Sequence, residues 1–305
     1  MARIVTVSTI QLPAWKEGET PEEVKSNNLK TIFEMLEIAG KRNSDVALFG
    51  EYCNVRGIEW NSESGRKFID TVPGPLVEQF GEIAKRYSMN LIAPIVGLCD
   101  GKLRNVALII NREGRLIGQY YKVHLPAPEA EWGIIAGDDI PVFELDFGKI
   151  GVMTCMDIEY PEHTTTLMLK GAQIIFFPHV QSSWGEVDWE IRYRARAIDT
   201  GLYLVSSCYG YKEGEWRPGM MIGRSGIIGP DGMILAEASR WVEVVTREID
   251  LDKKRITNFH FAKNCDRTLA VMASRRPEVY GELVKQVYQK QAMERAEKEY
   301  VMRNA

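Results

Sequence analysis

Gly151-Val152-Met153-Thr154-Cys155-Met156-Asp157-Ile158-Glu159-Tyr160-Pro161-Glu162 is the stretch on which the reading turns. Residues 150–154 form a short apolar run of the kind that makes a buried strand, and the run ends on a cysteine. Pro161 and Glu162 then open a helical stretch over 161–170, with proline at the first turn and an early carboxylate. A strand that stops at a reactive side chain and hands over to a helix is how α/β proteins place chemistry at a sheet edge.

The same alternation continues on both sides. Downstream, 173–177 reads as a buried strand, 188–200 as a helix, and 203–207, 226–228, 233–236 and 243–249 as strands, with Gly229-Pro230-Asp231-Gly232 as a turn. Upstream, 142–145 pairs naturally with the strand at 150–154 around Asp146-Phe147-Gly148-Lys149. Residues 3–11 and 45–49 are strands. Thr20-Pro21-Glu22-Glu23 starts a helix that puts Val24, Ile32, Phe33, Leu36 and Ala39 near one face. A second helix covers 75–87, and strands follow at 90–98, 106–110 and 116–121, the last two joined by Asn111-Arg112-Glu113-Gly114. Lys122 ends that hairpin and a proline-rich loop spans 125–141. Strands and helices mixed with hairpins predict a layered α/β fold with a mixed sheet or two sheets. No linker or repeat divides the chain, so one domain is expected over 1–285. A charged helical tail over 286–305 is expected either at a subunit interface or as a solvated helix.

Composition narrows the function. Of 305 residues 45% are apolar, enough for a full core. Lys plus Arg number 38 against 42 Asp plus Glu, so the basic excess of a nucleic-acid binder is missing. No apolar run approaches the ~20 residues of a membrane helix. The N-terminus enters a strand at once, without signal-peptide anatomy, and an intracellular, cytoplasmic location is expected. Five cysteines at irregular spacing and four scattered histidines form no CxxC, HxxxH or HExxH pair, which speaks against a disulfide framework or a zinc site. P-loop, dinucleotide and GxSxG strings are also absent.

What remains is positional. Glu51, Lys122 and Cys155 each follow directly on an apolar strand. Alone, each has a bland reading: a buried thiol, or two surface charges. Together they are a nucleophile, a base and a cation, the minimum for acyl transfer through sulfur. Cys155 would attack a carbonyl carbon, Glu51 would take its proton, and Lys122 with the Met156 backbone N–H would hold the oxyanion. The ammonium is expected to favour the thiolate.

Phe49-Gly50-Glu51-Tyr52, Tyr121-Lys122-Val123-His124-Leu125-Pro126 and the Cys155 segment resemble the three signature segments of the nitrilase superfamily, the carbon–nitrogen hydrolases. The resemblance spans about residues 3–285 and takes in Arg104-Asn105, Gly137-Asp138 and Arg194-Ala195-Arg196. It implies a four-layer α-β-β-α sandwich, pairing of protomers into a homodimer or larger homo-oligomer, and no metal or organic cofactor. It also implies a second glutamate after the lysine. Glu129 and Glu131 both qualify, and spacing from Lys122 favours Glu129.

Tyr52, Glu159, His179 and Trp184 are candidate substrate-binding residues, with Asn54, Trp60 and Trp132 as further loop candidates. His124, Arg194 and Arg196 read as structural, and Cys53 as a small pocket or core residue. The implied activity is hydrolysis of a small amide or carbamoyl compound. A nitrile substrate, transfer to an acceptor other than water, and a catalytically silent binding subunit are the alternatives. A carboxylate at Glu159, if it faces the substrate, would disfavour N-carbamoyl amino acids.

Overall fold

The computed structural model describes residues 2–182, 186–253, 256–259 and 262–285. Backbone contacts divide the chain into residues 1–255 and 256–305. The first unit is built on two sheets. One has eight strands: β1 (Ile4–Pro13), β2 (Val46–Phe49), β3 (Asp70–Val72), β4 (Asn90–Cys99), β5 (Lys102–Ile110), β6 (Leu116–Tyr121), β11 (Tyr209–Gly210) and β14 (Glu243–Asp250). The other has six: β7 (Val142–Leu145), β8 (Gly148–Val152), β9 (Ile174–Pro178), β10 (Tyr203–Ser207), β12 (Gly226–Ile228) and β13 (Ile234–Glu237).

Strand alternation explains the layering. Val7, Val46, Leu48, Ile92, Ile109 and Tyr120 of the first sheet pack with Ile150, Val152, Ile174, Phe176 and Val205 of the second. The residues between them in sequence, Ala47, Phe49, Leu91, Ala93 and Leu108, turn the other way. There they meet helices α1 (Pro21–Lys41) and α2 (Pro75–Tyr87) through Ile32, Leu36, Ala39, Phe80 and Ile83. Helix α1 begins as its sequence dictates: Glu23 N–H donates to Thr20 Oγ1 at 3.3 Å, and Thr20 N–H to Glu23 Oε2 at 3.1 Å. Helices α4 (Pro161–Leu169) and α5 (Arg194–Thr200) cover the outer face of the six-stranded sheet. Gly151 admits Leu167 of α4 so closely that a Cβ there would lie 2.7 Å from its methyl groups. The fold is the mixed α/β sandwich of two sheets and flanking helices expected from the sequence.

Several elements go beyond that expectation. Strand β3 is too short to show periodicity. The segment 125–141 is not all loop: Pro126, Ala127 and Pro128 start a one-turn helix α3 (Ala127–Glu131). Residues 188–193 wind more widely than an α-helix before α5. The second unit contains a hairpin of β15 (Ile256–Phe259) and β16 (Ala262–Asp266) and helix α6 (Arg267–Ala273), whose Thr268 N–H donates to Asp266 Oδ1 at 3.0 Å. Residues 277–284 form two 3-10 turns, and the tail expected over 286–305 lies outside the described residues. Among the described residues no helix is long and apolar enough to cross a membrane.

Topology brings the strand ends together. β2 is parallel to β4; β5 is antiparallel to β4, and β6 to β5, so β2 and β6 run the same way. Glu51 and Lys122 therefore leave the same edge of the eight-stranded sheet.

Candidate active site

Lys122 follows β6, and its backbone N–H donates to Asn105 O on β5 at 3.0 Å. Its side chain is wholly buried, with Nζ 3.0 Å from Glu51 Oε1 and 2.5 Å from Glu129 Oε1. The ammonium is thus clamped between two carboxylates of which Glu51 is fully and Glu129 almost fully buried. Burial alone would depress its pKa, but the two carboxylates outweigh that and hold it protonated. Glu131, on the same short helix as Glu129, is exposed, so the geometry gathers Glu129 and not Glu131.

Glu51 is fixed by its neighbours. Asn105 Nδ2 donates to Oε1 at 2.7 Å. The Tyr209 hydroxyl donates to the Glu51 backbone oxygen at 2.6 Å. Gly50 makes that approach practicable, since a Cβ at its position would stand 2.7 Å from the Tyr209 ring. Desolvation is the largest influence on Glu51 and raises its pKa, against the pull of Lys122. Oε2 of Glu51 and Oε2 of Glu129 are both buried without a hydrogen-bond donor.

Cys155 opens a 3-10 turn (Cys155–Glu159) after β8 and is half-buried. Its φ of 47° is left-handed, a conformation that costs a non-glycine residue roughly 1–3 kcal/mol and persists only where surroundings enforce it. The thiol lies within electrostatic reach of Glu51, Lys122 and Glu129. Burial is the main influence and pushes its pKa well up, with Glu51 adding to the rise and Lys122 opposing it. Lys122 does favour the thiolate, as expected, but burial outweighs it. Lys122 is already neutralised by two carboxylates, and ionising the sulfur in place would leave excess negative charge in a dry setting. Met156 comes second in the turn, where N–H groups have no acceptor inside the helix.

The other candidates separate. Tyr52 is left-handed at φ 62°, and its hydroxyl donates to Glu129 Oε1, so it enters the cluster through the second glutamate. Its ring lies 6.0 Å from Trp60, which meets Trp132 edge-on at 5.3 Å. Glu159 pairs with Arg192, which balances its charge, so the repulsion expected of a lone carboxylate does not follow. His179 is fully buried, stacked 4.8 Å from Phe177, and burial lowers its pKa to about 3, making it a neutral ring packed in the interior. The neighbouring Val180 backbone bonds Cys155. Trp184 lies outside the described residues. Asn54 binds Asp70 and Val96 and is structural. Arg194 and Arg196 hold the carbonyls of Gly232 and Ile158. Buried Cys53 has its thiol pKa pushed well up by desolvation.

Among the described residues one group has a metal-site composition: His124, Asp157 and His163, with ligand atoms within 4.8 Å of one another. The Asp157 oxygens, however, already accept from donors. His124 N–H and Nδ1 approach Oδ1 at 2.9 and 2.8 Å, and Thr154 N–H and Tyr120 OH approach Oδ2 at 2.7 and 2.5 Å. This is a hydrogen-bond hub whose carboxylate is saturated. Asn105, Tyr209, Tyr120 and Asp157 escape sequence reasoning as site residues. The available signal is a polar side chain inside or directly after an apolar strand.

The carbon–nitrogen hydrolase sequence profile matches residues 6–258. Omega-amidase NIT2 of Xenopus tropicalis is 28% identical over 244 residues, covering 75% of this chain and 85% of that protein. Deaminated glutathione amidase of Mus musculus is 26% identical over 277 residues, 85% and 81% of the two chains. Among solved structures, Nit3 of Saccharomyces cerevisiae, a member of branch 10 of the nitrilase superfamily, is 25% identical with a TM-score of 0.69, covering 81% of this chain and 90% of that one. A carbon–nitrogen hydrolase from Helicobacter pylori, at 24% identity, shares the fold with a TM-score of 0.74 over 93% and 99% of the chains. With a profile match over well more than half its length, the chain belongs to the carbon–nitrogen hydrolase family.

Proposed function

We propose that the protein hydrolyses a small primary amide through a Cys155 thioester. The observation that carries this is a protonated Lys122 held between Glu51 and Glu129 with the Cys155 sulfur in electrostatic reach. Both resting groups have raised pKa values, so the thiol is neutral and Glu51 is a strengthened base. When a carbonyl arrives, the sulfur bonds to its carbon and the thiol proton passes to Glu51, which leaves the net charge of the cluster unchanged. Lys122 and the Met156 N–H hold the oxyanion, each such donor being worth about 3–4 kcal/mol. Glu51 returns the proton to nitrogen and ammonia leaves. Water then gives a proton to Glu51 as its oxygen attacks the thioester; the C–S bond breaks, Glu51 passes the proton to the departing sulfur, and the acid leaves with thiol and base restored.

The two unpartnered carboxylate oxygens support an amide over a nitrile. A primary amide brings two N–H donors to the buried Oε2 atoms of Glu51 and Glu129, and a nitrile brings none. Sites built to receive a donor reject analogues lacking it by about 10⁴-fold. Ammonia release from an amide and from the matching nitrile is expected to differ in kcat/KM by that order; equal rates would select the nitrile reading. Substitution separates the two loop glutamates. Glu129→Gln should lower kcat about 100-fold by loosening Lys122, while Glu131→Gln, on the exposed face of the same helix, should match the parent. The reverse pattern would transfer the role to Glu131. The names of the two amidase relatives agree with an amide substrate.

A further inference from the structure

We propose that Asp157, which touches no atom of the reaction, is a positioning residue that fixes Cys155 relative to Lys122. The inference rests on the roles given above to those two residues. Cys155 follows a strand of the six-stranded sheet and Lys122 a strand of the eight-stranded sheet, so no ladder of backbone bonds ties one to the other. Asp157 spans the gap with one buried carboxylate.

On the nucleophile side, Oδ2 accepts Thr154 N–H at 2.7 Å, and the Asp157 N–H donates to Thr154 O at 3.0 Å. These two bonds close the backbone around Cys155 and enforce its left-handed φ. On the lysine side, Tyr120 OH reaches Oδ2 at 2.5 Å, and His124 reaches Oδ1 through its backbone N–H at 2.9 Å and Nδ1 at 2.8 Å. Tyr120 and His124 lie two residues before and two after Lys122, so the carboxylate grips the chain on both sides of the ammonium. The outer partners are themselves fixed. His124 stacks on Tyr160 at 3.7 Å, and the Tyr120 ring meets His163 edge-on at 5.8 Å. Four donors onto two oxygens leave the carboxylate no rotational freedom, and the negative charge is held by them: the Asp157 pKa lies below the usual carboxylate range despite burial. An amide in its place would turn one acceptor into an N–H₂ group facing donors.

The experiment compares Asp157→Asn, Tyr120→Phe and the double variant, with Tyr203→Phe as control. Tyr203 also gives up one hydroxyl bond, to Asp250 O at 2.8 Å, away from the site. Steady-state ammonia release is read alongside the pH dependence of Cys155 alkylation by iodoacetamide, followed on the peptide that carries it. Tyr120→Phe should lower kcat about tenfold and Asp157→Asn about 100-fold with KM nearly unchanged, because misplacement costs the chemical step. The double variant should be no worse than Asp157→Asn, since both act on one partner. Alkylation should shift to higher pH in the same order as the sulfur moves from the ammonium, and Tyr203→Phe should match the parent. Unchanged kcat and alkylation in folded Tyr120→Phe, or equal losses in Tyr203→Phe, would overturn the proposal. If Asp157→Asn does not fold, Tyr120→Phe decides alone. Cys155→Ala run in parallel keeps the two claims apart: ammonia release by that variant would defeat the reaction scheme, and the alkylation profile would still judge Asp157.

Discussion

Cys155→Ala is expected to lose ammonia release by about 10⁴-fold or more, because covalent catalysis disappears with the sulfur. The residue is half-buried at the start of a short turn, and alanine removes one atom without unpairing any buried charge. The melting temperature should therefore stay close to that of the parent, which separates loss of chemistry from loss of fold. Intact mass supplies the positive half of the test. The parent, quenched during turnover, should carry an adduct equal to the substrate less ammonia, and Cys155→Ala should carry none. Glu51→Gln should accumulate little adduct, since the neutral thiol then has no base to receive its proton. Turnover or adduct in the alanine variant would place the nucleophile elsewhere.

Lys122→Met should cost both activity and stability. Methionine fills a similar volume, yet Glu51 and Glu129 would then face one another in a buried space without their shared cation. Breaking a buried ion pair by removing one partner typically destabilises by about 3–5 kcal/mol at neutral pH. The pH dependence has a defined sign. Glu51 is already raised by burial in the parent, and the variant would remove the cation that opposes that rise. Groups raised in that way leave stability intact below the unfolded value, near 4.5, and withdraw it as pH rises through the folded value. The gap in melting temperature between parent and Lys122→Met should therefore be wide at pH 8 and narrow at pH 5. A gap of constant size would show that the carboxylates do not meet as described.

The elements that carry periodicity were legible in the sequence. Strands β1, β4 and β5 and helices α1 and α2 announce themselves by alternation, by the Thr20-Pro21 start and by the turn at 111–114. Short pieces were not: a three-residue strand such as β3 has no period to read, and α3 hides among prolines. At the site, the three strand-end residues stood out because a polar side chain after an apolar run is conspicuous. The hub around Asp157 did not, because its partners come from positions 37 and 33 residues earlier in the chain. The charge at Glu159 misled for the same reason. Its partner Arg192 sits on a helix whose facing residues no local pattern reveals.

The uncharged sulfur at rest has a consequence for survival in an oxidising setting. Peroxide and disulfides react with thiolates, and a cysteine kept in the S–H form by dry surroundings presents little of that species. In the proposed mechanism its reactivity would arise only while a carbonyl compound occupies the site and Glu51 receives the proton. The protein should thus withstand peroxide when idle, and because the proposed scheme puts the sulfur in a bond to carbon as its proton leaves, added substrate should not hasten inactivation by peroxide.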